Sequence, residues 1–325
     1  GGGMSGAGGF GRHAVGEADI RQVDGGQLVG KTFGESSYTI YEACGPGQVE
    51  EPPYLVVWLH GADMGDMPKE CLLTLQKGLR HRLFFLVPLN PKVSSEGLRF
   101  YWGISYTKAQ NKNGLGYIFG DWHQEFLDAL TGTVQRVAHE RAASHTLICG
   151  YSMGGFGAIQ FGCHAPDVFD AVVSVAGYGL GTLESPDSSF MAPQPESSRV
   201  FRAFLESRGP RLATVPLLLA VHAPRDTISS FRDMSAIVEA VKSWGGNAEL
   251  VEVPDGCADS DPSRKKKSKQ GHHYFNYSLL EATSEDVVFW RLRQHLSAQP
   301  SRPARPPPAR PAVLPLARPR SALPR

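Results

Sequence analysis

Short, almost continuously apolar runs recur along this chain: Tyr54–His60 (YLVVWLH), Leu83–Leu89, Phe169–Ala176 (FDAVVSVA) and Pro216–His222 (PLLLAVH). A strand with one face in water alternates apolar and polar residues. These runs do not alternate, so they predict strands buried on both faces. Thr146–Cys149 and Ala248–Val253 read as further short strands, and Tyr38–Glu42 as an early one. Between them the period changes. Phe126, Leu130, Val134 and Val137 fall on one helical face behind Asp121, a candidate cap. Phe231, Met234, Ile237, Val238, Val241 and Trp244 mark a second amphipathic helix, and other helices are expected over 66–80, 154–165, 197–207 and 285–298. Repeated strand–helix order with apolar strands predicts an α/β fold, a mostly parallel central sheet flanked by helices on both faces.

The ends differ from this body. Residues 1–34 hold twelve of the 36 glycines and read as a flexible segment. The tail, 299–325, is Pro/Arg-rich, and proline-fixed backbone among arginines predicts disorder. It contains six of the 33 basic residues and no acid, which leaves 27 basic against 32 acidic residues and about −5 over residues 1–299. That balance argues against a nucleic-acid partner. No run of roughly 20 apolar residues predicts a membrane span. The five cysteines, at 44, 71, 149, 163 and 257, form neither a disulfide framework nor a CxxC metal signature, which favours reduced thiols and a cytoplasmic setting. Residues 35–298 are expected to be one domain. Within it, 91–120 mix glycine, asparagine and aromatics and read as a long ordered loop, and 178–195 as a surface loop.

Chemistry concentrates at four points. Gly150-Tyr151-Ser152-Met153-Gly154-Gly155 follows one predicted strand and opens a helix. A nucleophile elbow needs this context: the chain turns sharply, Ser152 Oγ is exposed at the carboxyl edge of the sheet, and glycines relieve the crowding at 150 and 154. His60-Gly61-Ala62-Asp63 ends an earlier strand. The amides of Met153 and Ala62 would hold an oxyanion, with His60 bracing the loop. A triad then needs an acid and a base. Asp226 lies just past Pro216–His222, in HAPRD, with Asp170 and Asp255 as rivals. In Gly271-His272-His273, His272 is the candidate base and His273 its competitor, the other lining the pocket.

With LHGAD at 59–63, GYSMGG at 150–155, HAPRD at 222–226 and GHH at 271–273 in that order, the chain resembles the α/β-hydrolase superfamily, in particular its esterase, thioesterase and phospholipase/carboxylesterase-like members. The resemblance implies a sheet of about eight strands, catalysis over 35–298, and serine-dependent hydrolysis of a carboxylic ester or thioester in a small-molecule or acylated substrate. No metal or organic cofactor is implied. A serine peptidase, an acyltransferase or a non-catalytic binding protein on the same fold are the alternatives. Tyr151, Trp102, Tyr106 and Trp122 are candidate pocket walls. The basic loop Arg264–Lys269 reads as a solvated insertion and, alternatively, as an anion-attracting patch.

Overall fold

The computed structural model describes residues 19–30, 34–45, 47–48, 50–61, 69–89, 104–111, 114–177, 183–184, 195–224, 226, 229–253 and 287–300. Eight strands form the main sheet: β1 (Asp19–Gly30), β2 (Gly34–Cys44), β3 (Tyr54–Leu59), β4 (Leu83–Pro88), β7 (His145–Tyr151), β8 (Ala171–Val175), β10 (Leu218–His222) and β11 (Ala248–Glu252). Their spatial order is β1-β2-β4-β3-β7-β8-β10-β11, and β2 alone runs against the other seven. The expected mostly parallel sheet with helices on both faces is present. The fold begins earlier than the sequence reading placed it. Residues 19–30 fall inside the segment read as flexible, yet they pair with β2 along its length. Glycines 25 and 26 weakened the strand signal there, and pairing rather than propensity supplies the order.

The helices are α1 (Lys69–Leu79), α2 (Gln124–Glu140), α3 (Met153–His164), α4 (Pro195–Leu212), α5 (Phe231–Ser243) and α6 (Val287–Ala298). Side chains alternate across β3: Leu55, Val57 and Leu59 face a core shared with α2, α3, α4 and α5, whereas Val56 and Trp58 face α1 and α6. Two buried faces explain why these strands are apolar at every position. Each such side chain taken fully from water contributes about 1.5–3 kcal/mol. Asp121 does not cap α2. It belongs to a strand, and His123 takes the cap position without a side-chain hydrogen bond.

The region read as a long loop contains a hairpin, β5 (Ile104–Asn111) with β6 (Gly114–Trp122). A two-residue strand, β9 (Leu183–Glu184), adds to β6 through Tyr117–Glu184 and Ile118–Leu183. Mixed glycine and aromatic content hid the alternation, and β9 acquires its conformation from a partner 65 residues away. The two excursions follow β4 and β8 in the chain and pair with each other through β6 and β9.

Candidate active site

The sheet grows in both directions from β3: β4 lies on one side and β7 on the other. Connections therefore diverge beyond the carboxyl ends of β3 and β7, opening the crevice in which ligands of parallel sheets sit. Ser152 lies at this point. It follows β7 with φ 57° and ψ −122°, a conformation that an L-residue adopts only under constraint. The constraint is visible. Its amide donates to Val175 O at 2.9 Å, and its carbonyl accepts from Phe156 N at 3.2 Å, so strand and helix seize it from opposite sides.

Space explains the flanking glycines. A Cβ at Gly150 would overlap the Gly154 carbonyl, and one at Gly154 would overlap the Leu59 carbonyl at the end of β3. α3 thus starts hard against two strand ends, and eleven of its twelve residues are buried. Its first-turn amides, Met153 included, cannot reach intrahelical carbonyls and supply a partial positive charge beside Ser152. The chain after β3 also closes on Ser152. A Cβ at Gly61 would stand 3.3 Å from Ser152 Cβ and 3.1 Å from the Tyr151 ring. His60 is buried and its Nδ1 lies 2.8 Å from the Gly61 oxygen, in keeping with a bracing role.

Register carries the site across the sheet. Tyr151 pairs with Val175, which pairs with Val221; Ser152 and His222 are each one residue further on. Two strand spacings, roughly 10 Å, separate those positions. Asp226 occupies the loop past His222, and its carboxylate is wholly shielded from solvent. Its Oδ1 accepts the Ser229 amide at 2.8 Å, while Oδ2 lies 3.4 Å from His222 Nε2. Ser229 Oγ donates at 2.7 Å to Ala176 O, and the Ala176 amide donates to Val221 O. Ala176 itself has φ 47°. A continuous chain of hydrogen bonds therefore joins the end of β7 to the loop that carries Asp226. Beyond it, Ser230 caps α5 by accepting the Asp233 amide at 3.2 Å, and burial pushes the Asp233 carboxyl above the ordinary carboxylate range.

The other sequence candidates separate. Asp170 precedes β8 at the amino edge of the sheet, a strand of five residues or roughly 16 Å from the site. There it accepts the Thr146 amide at 2.8 Å, and His145 Nδ1 lies 3.5 Å away, so it is a structural anchor rather than a triad acid. Trp122 is also not a pocket wall. It is 2% exposed, packed on Gly157 of α3 and between Phe126 and Phe161. Tyr106 lies in β5 opposite Phe119, and Tyr151 is half-buried beside Gly61. Ala62, Trp102, Asp255, His272, His273 and the basic loop 264–269 lie outside the described residues. Ser229 and His222 gained no role from sequence. In HAPRD only the aspartate carries a signal, since a turn serine three residues on belongs to no motif.

Among the described residues no group of three metal-ligating side chains occurs, and no helix is long and apolar enough to cross a membrane.

A strained serine between strand and helix, at the switch point of an eight-stranded sheet with only its second strand reversed, defines the α/β-hydrolase fold. The chain shares this fold with a solved esterase. The esterase family model matches residues 105–230, the span that carries Ser152 and Asp226. Among solved structures it is similar to a thermostable esterase, with 17% identity and a TM-score of 0.51 over 85% of this chain and 63% of that one. The chain thus spans under two thirds of that esterase's length. It is also similar to an S-formylglutathione hydrolase from Agrobacterium tumefaciens (17% identity, TM-score 0.44, 71% of this chain and 89% of that one). An acylaminoacyl peptidase matches at 16% identity and TM-score 0.47, over 74% of this chain and 38% of that one. No curated protein sequence matches this chain.

Proposed function

We propose that the protein is a serine hydrolase that cleaves a carboxylic ester or thioester through an acyl-serine intermediate. The observation that carries this reading is the backbone of Ser152, φ 57° and ψ −122°, locked between β7 and α3 with Gly61 against its side chain. Strain of this kind costs about 1–3 kcal/mol and persists where function requires it. Asp226, held at the end of β10 by Ser229, supplies the acid.

In the proposed reaction His272 takes the proton of Ser152 Oγ as that oxygen bonds to the acyl carbonyl carbon. The carbonyl oxygen becomes an oxyanion held by the amides of Met153 and Ala62. Asp226 orients the imidazolium, which then protonates the departing alcohol or thiol as its bond to the acyl carbon breaks. Water, deprotonated by the same histidine, attacks the acyl-serine and releases the acid and Ser152. Trp102, Tyr106 and His273 are assigned to the pocket.

A fluorophosphonate probe is expected to label the wild-type protein at Ser152 and to leave Ser152→Ala unlabelled. Rates on p-nitrophenyl esters and acyl thioesters should exceed those on peptide amides. Persistent labelling of Ser152→Ala refutes the nucleophile, and faster amide cleavage converts the reading to a peptidase.

A further inference from the structure

The mechanism leaves His222 unused, although it touches the acid. The last residue of β10, it is fully buried, its ring edge-on to Phe231 with centroids 5.9 Å apart. Nε2 faces two acceptors, Ser229 O at 3.3 Å and Asp226 Oδ2 at 3.4 Å. Nδ1 is buried and has no hydrogen-bond partner among the described residues. An imidazole nitrogen facing two oxygens must carry a hydrogen, so Nε2–H is the donor at this site.

We propose that His222 is a positioning residue that holds Asp226 from the strand side, donating Nε2–H toward Oδ2 while the Ser229 amide holds Oδ1. The inference rests on the reading of Asp226 as the triad acid. Its consequence is electrostatic as well as geometric. A donor on Oδ2 draws charge from the carboxylate and so limits how strongly Asp226 stabilises the imidazolium of the catalytic base. Removing it leaves the carboxylate more basic. The base then keeps its proton to higher pH, and the acidic limb of the activity profile moves up. Four other groups bear on the same ring or its neighbours. Asp233 on α5 couples electrostatically to His222 and to Arg232 beside it. Glu252, the β11 register partner of His222, is exposed, and the Val253 amide donates to the His222 carbonyl at 3.0 Å.

The test compares His222→Leu with His222→Gln, whose amide nitrogen can stand near Nε2. Two readouts are taken across pH: hydrolysis of p-nitrophenyl butyrate and fluorophosphonate labelling of Ser152. His222→Leu is expected to lower kcat about tenfold, the scale of one hydrogen bond to a charged group, with KM unchanged and the acidic limb shifted upward. His222→Gln should recover most of the rate and the wild-type limb. A folded Leu variant with wild-type kcat and limb overturns the proposal, as does a Gln variant no better than Leu. If the Leu variant does not fold, nitrogen NMR of the wild-type ring decides: Nε2–H supports the proposal and Nδ1–H overturns it. Failure of wild-type protein to label at Ser152 overturns the hydrolase reading and this inference together. A labelled wild type with an unmoved Leu variant overturns this inference alone.

Discussion

Replacing Trp122 by alanine tests how the hairpin is held to α3. The indole is 2% exposed, 6.1 Å from Phe126 and 5.9 Å from Phe161 between centroids, edge-on to the latter. Beneath it is Gly157, whose missing side chain makes room for the ring. Truncating a buried tryptophan costs about 3–5 kcal/mol, of which one aromatic pair contributes about 0.5–1.5. The cavity cannot collapse onto Gly157, which has nothing to extend into it, so the upper part of that range is expected. For a domain of this size the melting temperature should fall by about 6–20 °C. Thermal and urea unfolding, followed by far-UV circular dichroism, read the loss, and Trp122→Phe should recover part of it. A change under about 1 kcal/mol together with a raised KM for aromatic esters would refute the reasoning and return Trp122 to the pocket.

Two further outcomes are expected. Burial holds His295 and His164 below the ordinary 6.5, the former against the pull of Asp170 and the latter against Asp128. Below pH 6.5 the unfolded chain therefore binds more protons than the folded one. The stability present above 6.5 is lost as pH falls from there through the depressed folded values, and a melting temperature constant from pH 8 to pH 5 would contradict this. Ser152→Gly should abolish labelling yet raise stability by about 1 kcal/mol, since glycine adopts φ 57° without the Cβ clash; equal or lower stability would show that the elbow stores no strain.

Sequence alone determined the parallel core and the place of the strand-to-helix turn at Ser152. Runs such as Tyr54–Leu59 are apolar throughout because both faces of β3 are covered, and that requirement is local to each residue. Gly150 and Gly154 are legible for the same reason: at those two positions of the turn a Cβ would strike neighbouring backbone. What only the tertiary structure decided depends on distant partners. β1 is a strand because β2 pairs with it, and β9 because β6 does. Trp122 and Tyr106 share one aromatic stretch, yet the first is drawn into the core by a glycine 35 residues on. Asp170 and Asp226 both stand beside apolar strands, but parallel register puts one at the amino edge and the other beside the crevice. His222 and Ser229 act on Asp226 only because a turn folds them back onto it, a contact that composition, period and motif do not encode.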